Sequence, residues 1–116
     1  MNELQKHRKG RYSMYQFSPY WTITQKANFL QRVVLIHSYL YYKRDVPIWQ
    51  DRQYDEISKQ LQTEQNKVTK EYIKHNTRYG YAFYDWDAST GFHLWERLKE
   101  KDKEYLLKII RLIKGD

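Results

Sequence analysis

The longest periodic pattern in the chain runs from Thr24 to Arg44. Phe29, Val33, His37 and Leu40 recur at helical spacing, and so do Leu30, Val34 and Tyr41. Leu35, Tyr39 and Tyr42 fall outside that stripe, so this helix is expected to pack on two sides. Thr22 and Thr24 are both candidate N-caps. Lys43 and Arg44 in the last turn complement the helix dipole. Asp45-Val46-Pro47 ends the helix, because proline disfavours the helical conformation at the residue before it. Asp51 is expected to cap a second helix that buries Tyr54, Ile57 and Leu61, with Val68 and Tyr72 as candidate extensions of the stripe. Gln60 to Lys70 is polar and reads either as exposed helix or as a break. Helix can resume through Lys74 and stop near Asn76.

From Arg78 to Trp86 the character changes. Tyr79, Tyr81, Phe83 and Asp85 alternate with Gly80, Ala82, Tyr84 and Trp86, which favours a short strand or extended loop. Asp87 to Gly91 reads as a turn. Phe92, Trp95 and Leu98 start a helical stripe. Asp102 is expected to cap a last helix with Tyr105, Leu106, Ile109, Ile110 and Ile113 on its core face. The pattern as a whole predicts a mainly α protein: a helical hairpin over about 24–62, a short extended segment, and C-terminal helices in an extension over 77–116. Residues 21–116 form one helical domain behind a basic aromatic arm, 1–20.

Composition then narrows the partner. The chain has 116 residues with a formal charge of +7, 12 Tyr and 4 Trp. Eight Lys/Arg stand against two Asp/Glu in residues 1–50, whereas thirteen stand against twelve in the remainder. A basic, aromatic-rich surface suits an anionic, stackable partner, nucleic acid above all. The same composition also fits a tyrosine-built core under a lysine-rich solvated face. The candidate phosphate contacts are Lys6, Arg8, Lys9, Arg11, Lys26, Arg32, Lys43 and Arg44. Tyr12, Tyr15, Trp21 and Trp49 are the candidate stacking residues. The arm is expected to be flexible in its first ten residues and able to dock through its aromatics from Tyr12 onward.

Cysteine is absent, which excludes disulfides, thiolate metal sites and cysteine nucleophiles. His7, His37, His75 and His93 have no metal-ligand spacing, and His37 on the helix stripe reads as a core residue. Asp85 and Asp87 flank Trp86 and read as caps more readily than as an acid/base pair. No Gly-rich phosphate loop occurs. No apolar run reaches transmembrane length and no signal-peptide pattern opens the chain, so a soluble, cytoplasmic protein is expected.

His37-Ser38-Tyr39-Leu40-Tyr41-Tyr42, then Asp45-Val46-Pro47, then Asp51-Arg52-Gln53-Tyr54-Asp55, resembles the small N-terminal domain of NAD-dependent DNA ligases. That family's pattern is H-x-Y-x-Y-(H/Y), D-x-P, D-x-x-Y-D, carried on a helical hairpin that grips the nicotinamide mononucleotide half of NAD. The resemblance covers about 40 residues. It implies that Tyr41 stacks on nicotinamide, that Tyr42 stands where many ligases have a phosphate-contacting His, and that Asp51, Tyr54 and Asp55 complete the pocket. The same residues also serve packing, with Tyr39 and Tyr54 as core and Asp51 as a cap. The Lys-x-Asp-Gly nucleophile motif of the ligases is missing, and Lys114-Gly115-Asp116 does not replace it. The remainder of the chain resembles, more loosely, ligase-related proteins of phages and mobile elements. The expectation is a non-catalytic accessory protein in DNA replication or processing that binds nucleic acid, a polymerase- or ligase-type partner, or both. The alternative is a module that binds nicotinamide mononucleotide or NAD. A third class, a subunit docking a partner through Tyr84, Trp86 and Trp95, requires those rings to be exposed.

Overall fold

Thr22 starts the fold. The computed structural model describes residues 15–44, 51–88, 91 and 93–114. Thr22 is extended, its hydroxyl accepts the Gln25 N–H at 3.1 Å, and its own N–H donates to Gln25 Oε1 at 2.8 Å. This reciprocal box satisfies two amides that the first turn leaves open. It decides between the two candidate caps, since the Thr24 hydroxyl instead pairs with that of Tyr72 at 2.8 Å. Helix α1, Ile23–Tyr42, follows and ends two residues before the expected limit, where the Lys43 N–H donates to the Tyr39 carbonyl at 2.8 Å. Ala27, Leu30, Val34, Leu35, Ile36 and Leu40 are buried around most of its circumference, as a two-sided core helix requires.

Helix α2, Asp51–Gln65, runs back along α1. Ser38 meets Tyr54 near one end of the pair, and Gln31 meets Gln65 near the other. The polar stretch proves to be both helix and break. α2 continues to Gln65, a turn follows, and Thr69 caps α3, Lys70–Asn76, by accepting the Tyr72 N–H at 3.0 Å. Val68 and Tyr72 therefore lie outside the α2 stripe, and Tyr72 is exposed.

The expected strand over 78–86 is corrected. Gly80–Phe83 is a short helix, α4, and among the described residues there is no strand. Besides Gly80, the buried positions are Tyr79, Ala82, Phe83 and Trp86, the last three lying three, four and seven residues after Tyr79. The aromatic alternation concealed this helical period because aromatics also occupy the outer face. A 3-10 turn, Trp95–Arg97, and helix α5, Glu100–Lys114, close the domain.

Two expectations about α5 are also corrected. Asp102 is not its cap. It sits in the first turn, only 6% exposed, with its side chain turned to Tyr81. On the core face of α5 Leu106 and Ile110 are buried and Ile109 packs partly buried against the core, while Tyr105 and Ile113 are exposed. Asp85 pairs with Arg97 at 2.8 Å, and the 3-10 turn that follows is entered through Leu94. Phe92 lies outside the described residues, whereas Trp95 and Leu98 are core.

A buried amide network joins these elements. Gln31, fully enclosed, donates to Gln65 Oε1 at 3.1 Å and to Thr77 Oγ1 at 3.0 Å, and accepts the Tyr79 N–H at 3.1 Å. Gln65 in turn donates to the Phe83 carbonyl at 3.3 Å. A buried amide left unpaired costs about 1–3 kcal/mol, so this chain of bonds fixes where the α3–α4 joint meets α1. It thereby sets the position of Arg78.

Candidate functional site

One face of α1 is not apolar. Gln25, Asn28, Phe29 and Arg32 follow one another at helical spacing, and they form the floor of an open cleft of about 330 Å³. Arg78 and Tyr79 form one wall, Tyr105 of α5 another, and Trp21 stands at the mouth. Asn28 holds the wall to the floor, because its Oδ1 accepts the Arg78 N–H at 2.7 Å.

The cleft pairs cations with rings. The Arg32 guanidinium lies 5.8 Å from the Phe29 ring centre. That of Arg78 lies 5.6 Å from Tyr79 and 5.4 Å from Tyr105. Each contact is worth about 0.5–1 kcal/mol at an exposed site and keeps a guanidinium beside a ring. Burial pushes the Tyr79 phenol up, the neighbouring Asp102 adds to this, and both Arg78 and Arg32 pull it back. Phe29 also joins the cleft to the arm: Tyr15, Phe17 and Trp21 all pack their rings against it, with Tyr15 edge-on at 4.8 Å. The Tyr15 N–H donates to Gln60 Oε1 at 3.0 Å, and Gln60 Nε2 donates back to its carbonyl at 2.8 Å. The aromatic end of the arm therefore docks on α1 and α2.

Of the residues singled out by sequence, Arg32 and Trp21 meet in this cleft. Tyr15 is half-buried beside it. Lys26 leans toward Glu64 on α2, at 4.0 Å. Lys43 pairs with Glu96, and Arg44 is exposed next to it. Eleven helical residues separate Arg32 from Lys43, roughly 16 Å along α1, so the expected cations do not form one patch. Lys6, Arg8, Lys9, Arg11, Tyr12 and Trp49 lie outside the described residues.

The ligase-like residues gather where α1 ends and α2 begins. Tyr41 and Tyr42 are exposed and meet edge to face at 4.8 Å. Asp51 is exposed, and Asp55 pairs with Lys59 at 3.1 Å. Tyr54 is half-buried, with its hydroxyl 2.6 Å from Ser38 Oγ, and burial pushes it up to about 12. Its polar atom is thus already engaged within the hairpin. Trp86 and Trp95 are buried and Tyr84 half-buried, so the aromatic docking patch expected of these three rings does not form.

Sequence reasoning missed Arg78, Tyr79, Tyr105, Gln25 and Asn28. The polar stripe from Gln25 to Arg32 on an otherwise apolar helix was a readable signal. Arg78 and Tyr105 carried none, because their approach to α1 depends on the Gln31 network and on the docking of α5. Comparison with protein families, curated proteins and solved structures gives no match to this chain.

Proposed function

We propose that this protein binds single-stranded nucleic acid through the Arg32–Arg78 cleft and serves as a non-catalytic accessory factor in DNA replication or processing. The observation that carries the reading is the meeting of two guanidiniums with the half-exposed rings of Trp21 and Tyr105 around a cleft sized for about one nucleotide unit. Guanidiniums contact phosphate without regard to sequence. Exposed rings accept a splayed base, each stack being worth about 1–3 kcal/mol. A duplex keeps its bases stacked and presents no free base face, so single strands are favoured. The cations that precede Tyr15 in the sequence, Lys6, Arg8, Lys9 and Arg11, would add phosphate contacts. The ligase-like hairpin supports the replication setting.

The test is fluorescence anisotropy with a labelled DNA single strand across a salt series. Wild type should bind with log K falling by about 0.7 per phosphate contact for each tenfold rise in salt. Arg32→Gln and Arg78→Gln should each weaken binding and flatten the slope, and Tyr105→Ala should weaken binding without changing it. Affinity that ignores salt, or that survives both arginine changes, rejects the reading. Calorimetry with nicotinamide mononucleotide serves as the control: heat abolished by Tyr41→Ala would move the site to the hairpin end.

A further inference from the structure

Asp102 is the closest carboxylate to the cleft that the structure describes at Arg78, and it does not close on that arginine. Asp102 Oδ1 stands 3.8 Å from Arg78 Nη2, inside Coulomb range but beyond a hydrogen bond. Arginine and carboxylate side by side ordinarily close to about 2.7–2.9 Å, often through two bonds. The reason for the gap lies on the other oxygen. Asp102 Oδ2 accepts the Tyr81 hydroxyl at 2.5 Å, a short charge-assisted bond. Tyr81 is itself fixed from the far side, where its oxygen accepts the Lys99 N–H at 3.0 Å and the Lys99 ammonium lies 4.9 Å from its ring centre.

We propose that Tyr81 is a positioning residue: by holding the Asp102 carboxylate, it keeps the Arg78–Asp102 ion pair long, so that the guanidinium N–H groups stay available to a phosphate in the cleft. The proposal rests on the cleft's being a phosphate site. Asp102 is nearly buried and its backbone is set in the first turn of α5, so its two oxygens are divided between the phenol, held on Oδ2, and the guanidinium, which faces Oδ1. Burial and the bond to Asp102 push the Tyr81 phenol up to about 12, which leaves it a donor at neutral pH. Arg78 meanwhile keeps its place through the rings of Tyr79 and Tyr105 and its backbone bond to Asn28, none of which uses its guanidinium N–H groups.

Three variants test it. Tyr81→Phe removes the competing donor, so Asp102 should take Arg78 as a full ion pair and weaken single-strand binding by about tenfold, although no charge has changed and Tyr81 does not line the cleft. Asp102→Asn should bind at least as tightly as wild type, and the double variant should recover the loss. A merely structural role for Tyr81 predicts no recovery. The second readout needs no nucleic acid: the rate at which phenylglyoxal modifies Arg78, followed on its peptide by mass spectrometry. It should fall in Tyr81→Phe and return in the double variant. Unchanged reactivity in Tyr81→Phe, or weaker binding in Asp102→Asn, overturns the proposal. If Tyr81→Phe melts below the assay temperature, Asp102→Asn alone decides: modification of Arg78 near the wild-type rate supports the device, and a markedly faster rate, which would show that Asp102 already holds Arg78 in the wild type, overturns it. Reactivity that follows the expected pattern in a protein that binds no strand would reject the nucleic-acid reading and keep the Tyr81–Asp102–Arg78 device.

Discussion

Tyr54 and Ser38 share a 2.6 Å hydrogen bond, and Gly91 backs directly onto both oxygens. A methyl group at Gly91 would land on Tyr54 Oη and Ser38 Oγ. Overpacking of this kind costs about 1–3 kcal/mol, so Gly91→Ala should lower stability by that amount in chemical denaturation. The cost should shrink in a Ser38→Ala/Tyr54→Phe background, where both obstructing oxygens are gone, and an unchanged cost would place the clash elsewhere. Titration gives a second expectation at this scale. Burial lowers His37 from 6.5 to about 4, so the folded state favours neutral imidazole. Its contribution to stability is complete above pH 6.5 and is lost as pH falls toward 4. Denaturation from pH 7 to 4 should show this loss, and His37→Gln should flatten it. At the alkaline end the sign is opposite. The Tyr54 and Tyr81 phenols, held up at about 12 against an ordinary 10, stabilise the fold fully below pH 10 and lose that contribution as pH rises toward 12.

The joint between α3 and α4 decides where Arg78 sits, and it depends on a close approach. At Gly80 a Cβ would strike the Ile73 carbonyl oxygen and crowd Thr77 Oγ1. Thr77 is also a partner of Gln31, so the disturbance would reach the buried amide network. Gly80→Ala should therefore cost about 1–3 kcal/mol and weaken single-strand binding as Arg78 shifts, whereas Thr22→Ala should cost about 0.5–2 kcal/mol through the α1 cap alone and leave binding intact. Equal effects of the two on binding would deny the joint its positioning role. The contrast also shows what was legible in the sequence. α1, α2 and the Thr22 cap could be read because periodicity and capping are local properties of neighbouring residues. α4 could not, because Tyr81 and Tyr84 on its outer side are as aromatic as Tyr79 and Phe83 on its inner side, and only packing separates them. Asp102 looked like a cap because a carboxylate near a helix start usually is one. Its partner Tyr81 lies 21 residues away, and no local rule reaches that far. The cleft was partly legible for the same reason: Arg32 lies on α1 and Trp21 just before its cap, whereas Arg78 and Tyr105 arrive through tertiary contacts.

For the molecule as a whole, charge is divided between a basic first half and a nearly balanced second half. Much of the second half's charge is spent within the fold, as in Arg97 with Asp85, Lys59 with Asp55 and Lys67 with Glu64. Surface pairs of this sort add little stability, about 0–1 kcal/mol each, but they cancel one another's field. The field that steers an anionic strand therefore comes mainly from the first fifty residues. Within these, Lys26 and Lys43 already face Glu64 and Glu96. That leaves Lys6, Arg8, Lys9 and Arg11 as the largest concentration of positive charge, four to nine residues from the anchored Tyr15 and thus within roughly 15–30 Å of it at full extension. Replacing these four by Gln keeps the chain length and the docked aromatics while removing four charges. If all four meet phosphate, the salt slope should fall by about 3, twice the loss from Arg32→Gln and Arg78→Gln together. The rings of the cleft are untouched by this change, so the binding that survives at high salt should be the same as in wild type. A slope that stays put would confine the strand to the cleft. A loss of the high-salt remainder as well would mean that the arm contributes more than charge.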